Sequence, residues 1–172
     1  MELSPSLESA FNAQITLELE SSAVYRQLAI ELDLADLPGM ASWLRGQADE
    51  ELVHMNMFID HLTNRDNHPQ IGAQRAPEVT VGSPLDAFRI ALEHEQRVSE
   101  SIRNLVRLAE SEGDLDSRPL LNLFLSEQVE EEATVREIVG RVTLTGDDGP
   151  GLLRLDAELG ARKSGGTQPA PA

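Results

Sequence analysis

Four stretches of this sequence carry apolar residues at spacings of three and four, and each row is broken near its middle by a carboxylate. The rows are Leu7-Phe11-Gln14-Glu18-Ser22-Tyr25-Ala29-Leu32, Met40-Leu44-Gln47-Glu51-His54-Phe58-Leu62, Leu85-Phe88-Leu92-Glu95-Ser99-Ile102-Val106-Ala109 and Leu121-Phe124-Gln128-Glu131-Val135-Ile138-Val142. Such spacing puts each row on one helical face. Helix signals bracket the rows. Ser4-Pro5 and Ser83-Pro84 supply a capping hydroxyl and then a proline at the first helical position, Asp86 answers the second cap, and Gly113 ends the third helix. The short connection Ala35-Asp36-Leu37-Pro38 makes the first two helices antiparallel neighbours, and Asp114 to Ser117 form a second short turn.

Residues Arg65 to Gly82 hold Pro69, Gly72, Pro77 and Gly82 and show little periodicity. Extended, such a segment reaches roughly 60 Å, against roughly 42 Å for a 28-residue helix. It can therefore cross the whole bundle and return the chain to the same end. After a break at Gly146 to Gly151, Leu152, Leu153, Leu155 and Leu159 predict a short fifth helix, and Ala161 to Ala172 read as a disordered tail. The expected fold is all-α: a four-helix bundle over residues 1–160 with a long crossover between its second and third helices and a short C-terminal helix.

Glu18 and Glu51 lie about 13 residues into their helices, Glu95 about 11 and Glu131 about 14, which is roughly 17–21 Å from each helix start. Residues near the midpoints meet at one level whichever way the helices run. Glu18, Glu51, His54, Glu95, Gln128 and Glu131 are thus predicted to share one layer of the core. Glu51-x-x-His54 offers a carboxylate and an imidazole one turn apart, able to share a cation. Ionised together, four buried carboxylates would each cost several kcal/mol of desolvation and would repel one another. Two divalent cations would offset both, and an oxygen-rich set with one imidazole suits iron, manganese or zinc. The alternative is a proton-sharing polar layer, or helix phases that turn the acids to water.

With 30 acidic against 14 basic side chains and a net charge of −16 in 172 residues, nucleic acid is not an expected partner, since phosphate contacts need clustered Lys and Arg. Zero cysteines exclude disulfides and thiolate metal sites. No signal peptide or membrane-spanning run is read, so a cytoplasmic location and no membrane partner are expected.

Glu18 with Tyr25, Glu50-Glu51-x-x-His54, His94-Glu95-Gln96 and Ser126-Glu127-Gln128-x-Glu130-Glu131 together resemble the ferroxidase signatures of non-haem bacterial ferritins, over roughly residues 5 to 160. The resemblance implies a ferritin-like fold and iron storage, with Fe(II) oxidised by dioxygen or hydrogen peroxide at a di-iron centre and mineralised inside a 24-subunit homo-oligomer. It implies one iron on Glu18, Glu51 and His54, and a second on the bridging Glu51 with Glu95 and Glu131, Gln128 alongside. Tyr25 would hydrogen-bond a ligand or supply an electron. Glu50, Glu127 and Glu130, with Glu131, match a third iron site. Bacterioferritins repeat Glu-x-x-His on the fourth helix and ligate haem through a methionine; here the fourth helix has Gln128-x-x-Glu131 and the haem position is Leu52, so no haem is expected. Met55 and Met57 read as core filler, and His61, His68 and His94 as surface or capping residues. Asp114 and Asp116 are candidates for a three-fold iron channel. The rival readings are a non-storing di-iron peroxidase or oxidase of the same superfamily, an acidic shell protein acting through the tail from Lys163, and a small DNA-binding relative, against which the charge argues.

Overall fold

A computed structural model describes residues 2–162. Five helices and no strand occur among them: α1 (Pro5–Leu34), α2 (Pro38–Asn64), α3 (Pro84–Glu112), α4 (Arg118–Thr145) and α5 (Gly149–Ala161). The expected tail from Ala161 lies almost wholly outside the described residues; Ala161 itself ends α5.

The capping residues act as their chemistry demands. Ser4 Oγ accepts from Leu7 N at 3.2 Å. Ser83 Oγ accepts from Asp86 N at 3.2 Å and donates to Asp86 Oδ2 at 2.8 Å. Gly113 closes α3 at φ 70°, in the left-handed region that a side chain would disfavour. The fifth helix starts at Gly149, earlier than the expected Leu152, because Pro150 sits in its first turn, where its fixed φ suits a helix and its missing N–H is no loss.

Two apolar clusters reveal the topology. One holds Tyr25, Leu32, Trp43, Phe88, Ile138 and Leu159. The other holds Phe11, Phe58, Ile102 and Phe124, with the rings of Phe58 and Phe124 stacked at 4.3 Å. Along the chain, α1 and α4 run from the second cluster to the first, while α2 and α3 run from the first to the second. Neighbours α1/α2 and α3/α4 are therefore antiparallel, and α2 and α3 are parallel, which is why a long crossover is needed. The glutamates break the apolar rows between the two clusters.

The crossover rests on a rail of polar side chains spaced four apart along α1. Glu8 Oε1 accepts from His68 N at 3.1 Å, Asn12 Oδ1 from Gln70 N at 2.7 Å, Thr16 Oγ1 from Gly72 N at 2.8 Å and Glu20 Oε1 from Arg75 N at 3.0 Å. Backbone donors that an extended, unpaired segment would otherwise leave to water find partners this way.

Helix α5 docks against the start of α2. That start has no cap of its own: Leu37 stands at the N-cap, and Asp156 Oδ1 accepts from Met40 N at 2.7 Å instead. The approach is so close that a Cβ on Gly39 would lie 2.0 Å from the Asp156 carbonyl oxygen, and one on Gly160 would lie 2.8 Å from Gly39 Cα.

The third apolar row is broader than expected. Leu85 and Leu92 are only partly buried, while Ala87, Ala91, His94, Val98 and Leu105 face inward beside Phe88, Glu95, Ser99 and Ile102. Four contacts at the opposite end explain Asp114. Its carboxylate meets Arg65 Nη1 at 2.8 Å and accepts from Ser117 Oγ, which lies 2.9 Å from Arg65 Nη1 and 2.8 Å from His61 Nε2. Within the chain Asp114 clasps the α3–α4 turn to the end of α2. Asp116 lies 4.0 Å from Arg65 Nη2 and is exposed. His61 is half-buried, and its ring also packs on Phe11 at 5.0 Å.

Candidate metal centre

Glu18 and Tyr25 come from α1, Glu50, Glu51 and His54 from α2, Glu95 from α3, and Gln128 and Glu131 from α4. Each ligand type sits where the helical repeat carries it inward. Glu18, Glu51, His54, Glu95 and Gln128 are buried, and Glu18 is 0% exposed.

One ligand atom each from Glu18, Glu51 and His54 lies within 4.8 Å of the others. His54 Nδ1 is 3.4 Å from Glu51 Oε2. Glu18 Oε2 and Glu51 Oε2 are buried and make no hydrogen bond. Buried carboxylate oxygens without donors are costly, and here two face one cluster with an imidazole beside them. A proton or a cation resolves such an arrangement, and the donor set fits a divalent first-row metal.

The remaining carboxylates are held by neutral donors. The Tyr25 hydroxyl donates to Glu95 Oε1. Gln128 Nε2 lies 3.1 Å from Glu95 Oε2, 3.3 Å from Glu95 O and 3.2 Å from Ser99 Oγ. Gln47 Nε2 donates to Glu50 Oε2 at 3.2 Å and to Glu131 Oε2 at 3.3 Å, joining α2 to α4. Gln14 Nε2 donates to Glu18 Oε1 at 2.6 Å.

Proton affinities follow the crowding. Burial, then the charge of Glu51, pushes Glu18 well above the usual carboxylate range. Burial, then Glu95, does the same to Glu51. Burial raises Glu95, against the hydrogen bonds from Tyr25 and Gln128. Glu131 is pushed up to about 8 by burial and by Glu50 and Glu95. Burial and Glu95 also push the Tyr25 phenol well up, so it stays protonated. Without cations this layer holds protons; cations would displace them.

The three residues matched to a third site are less convergent. Burial raises Glu50 and Glu127, and Glu127 Oε2 lies 3.8 Å from His54 Nε2. Glu130 is exposed on α4, and neighbouring Val129 is 67% exposed.

His94 departs from the surface role expected of it. It is buried, its Nε2 lies 2.6 Å from Ser21 Oγ, and its ring meets Tyr25 edge-on at 6.5 Å. Ser21 Oγ also lies 2.9 Å from Leu17 O, an acceptor for its proton, and with the proton placed there His94 donates from Nε2. Burial, then Arg97, lowers His94 to about 4 and keeps it neutral. Its place between Ala91 and Val98, at spacings of three and four, was the available signal. Gln14 and Gln47 stood in the apolar rows without a role, because a sequence does not show which carboxylate an amide will meet.

Residues 8–145 match the ferritin-like domain family. The chain belongs to the ferritin family. This ferritin is 33% identical over 157 residues to a bacterial non-heme ferritin of Escherichia coli, covering 91% of this chain and 95% of the relative. It is 33% identical over 160 residues to that of Staphylococcus aureus, covering 93% and 96%. An open pore ferritin from the archaeon Archaeoglobus fulgidus has the same fold, with a TM-score of 0.91 at 36% identity over 94% of this chain and 99% of that one.

Proposed function

We propose that this ferritin is an iron-storage protein with ferroxidase activity, oxidising Fe(II) to Fe(III) at the carboxylate layer and depositing it as hydrated oxide inside a 24-subunit cage. The observation that carries the reading is the pair of hydrogen-bond-free buried oxygens, Glu18 Oε2 and Glu51 Oε2, facing a cluster that includes His54. Membership of the ferritin family and the non-heme ferritins among its relatives support it.

Iron is the substrate. The first Fe(II) takes Glu18, Glu51 and His54. The second takes Glu51, Glu95 and Glu131, with Gln128 beside it. Two Fe(II) held by a shared carboxylate deliver two electrons together: dioxygen with two protons gives hydrogen peroxide, and hydrogen peroxide with two protons gives two waters. Oxygen ligands favour the ferric product. The neutral Tyr25 phenol orients Glu95 through its hydrogen bond. Glu50, Glu127 and Glu130, with Glu131, form an exit site toward the cavity. No helix among the described residues is long and apolar enough to cross a membrane, and a cytoplasmic location fits this reading.

Aerobic Fe(II) added to purified protein, followed by ferric absorbance and then by size exclusion with iron detection, tests the proposal. Hundreds of irons should travel with a particle near 24 subunits, and Glu51→Ala or His54→Ala should lose the fast phase. A small oligomer carrying about two irons would refute storage and point to a peroxidase or oxidase of the same superfamily.

A further inference from the structure

Gln14 is an amide buried to 1% exposure, one helical turn before Glu18 on α1. A buried amide is tolerated only when both its ends are satisfied. Here its Nε2 donates to Glu18 Oε1 at 2.6 Å, and its Oε1 accepts from Ser101 Oγ on α3 at 2.5 Å. The orientation follows from the partners. A carboxylate that binds a cation is ionised and only accepts, so in that state it requires the amide N–H, while a hydroxyl serves either end. The chain Ser101–Gln14–Glu18 therefore ties the Glu18 carboxylate to the neighbouring helix and leaves Oε2 without a partner beside Glu51 and His54.

We propose that Gln14, anchored by Ser101, is the positioning residue that fixes Glu18 so that Oε2 alone is presented to the first cation. The inference rests on the metal-site reading above and adds to it which side chain prepares the ligand. Glu95 shows the contrast: both of its oxygens are already engaged, by Tyr25 and by Gln128. Without Gln14, Glu18 is free to rotate or to close on a cation through both oxygens. The groups that orient a ligand govern affinity and coordination number together, and their loss costs about 10–100-fold in affinity.

The test is anaerobic titration with Co(II), whose visible absorption reports coordination number without any oxidation. Gln14→Ala should weaken binding of the first Co(II) by about 10–100-fold and shift its absorption bands toward those of a higher coordination number. Ser101→Ala should move both readouts in the same direction by less, and Ser101→Thr, which keeps the hydroxyl, should restore them. A role confined to packing would change thermal stability but not the Co(II) spectrum. Wild-type affinity and spectrum in both Gln14→Ala and Ser101→Ala overturn the proposal, and the Ser101 pair decides alone if Gln14→Ala does not fold. Glu51→Ala separates the two levels. If it abolishes Co(II) binding while the Gln14 and Ser101 variants bind normally, only the positioning role falls. If wild type and Glu51→Ala take up Co(II) alike, the metal-site reading falls and this proposal with it.

Discussion

Replacing Glu131 by glutamine in the metal-free protein should raise stability, and by an amount that grows with pH. Glu131 is carried from an ordinary 4.5 to about 8, by burial first and then by the charges of Glu50 and Glu95. A folded-state value above the unfolded one means that the folded protein binds the proton more tightly. The stabilising contribution is full below pH 4.5 and is lost as pH rises through about 8. At about 1.4 kcal/mol per unit, the loss approaches about 3–5 kcal/mol by pH 9. Glutamine keeps the shape, can still accept from Gln47, and never ionises, so it escapes that loss. For a chain of this size each kcal/mol moves Tm by roughly 2–4 °C, so the metal-free variant should melt roughly 6–20 °C above wild type at pH 9 and converge with it near pH 5. The assay is thermal unfolding after chelation, at fixed ionic strength across that pH range. A redox-silent cation such as Zn(II) should raise the wild-type Tm at pH 8 and raise the variant's less. A Tm difference that stays constant with pH, or a variant less stable at pH 9, would refute the claim that the layer is strained by charge.

Four further outcomes are expected. Zn(II) added to chelated protein in weak buffer at pH 7 should release about one or more protons per site, fewer at pH 9, because the raised carboxyls must ionise to bind; pH-indicator absorbance measures this. Gly39→Ala should push α5 off α2, since its Cβ would meet the Asp156 carbonyl at 2.0 Å; a cost of about 1–3 kcal/mol and faster proteolysis of α5 are the signs. Arg65→Ala would leave the half-buried Asp114 with the Ser117 hydroxyl as its remaining donor and should cost about 1–3 kcal/mol in chemical denaturation. Asn12→Ala together with Thr16→Val should speed amide exchange at Gln70 and Gly72 while leaving the apolar core protected, because only the rail is removed.

Helical phase is a local property, and so the sequence alone determined the four long helices, the reach of the crossover, and the depth at which Glu18, Glu51, Glu95 and Glu131 interrupt the apolar rows. A period of 3.6 residues and a rise of 1.5 Å suffice for that, and the chemistry of three buried carboxylates and the half-buried Glu131 beside an imidazole follows from their number. Tertiary structure decided what phase cannot encode. Which group an amide meets on another helix depends on how the helices rotate, and so the Gln47 contact to Glu131 and the Ser101 contact to Gln14 became legible only once packed. The wider inward face of α3 carried His94 into the core, although it stood next to Glu95. Asp114 finds its partner in Arg65, 49 residues away in sequence. The cap of α2 comes from Asp156, 116 residues downstream, because two glycines let the helices touch. The Ser101, Asp114 and Asp156 contacts each join groups distant in sequence, while the helices and their acids are set by neighbours within a turn.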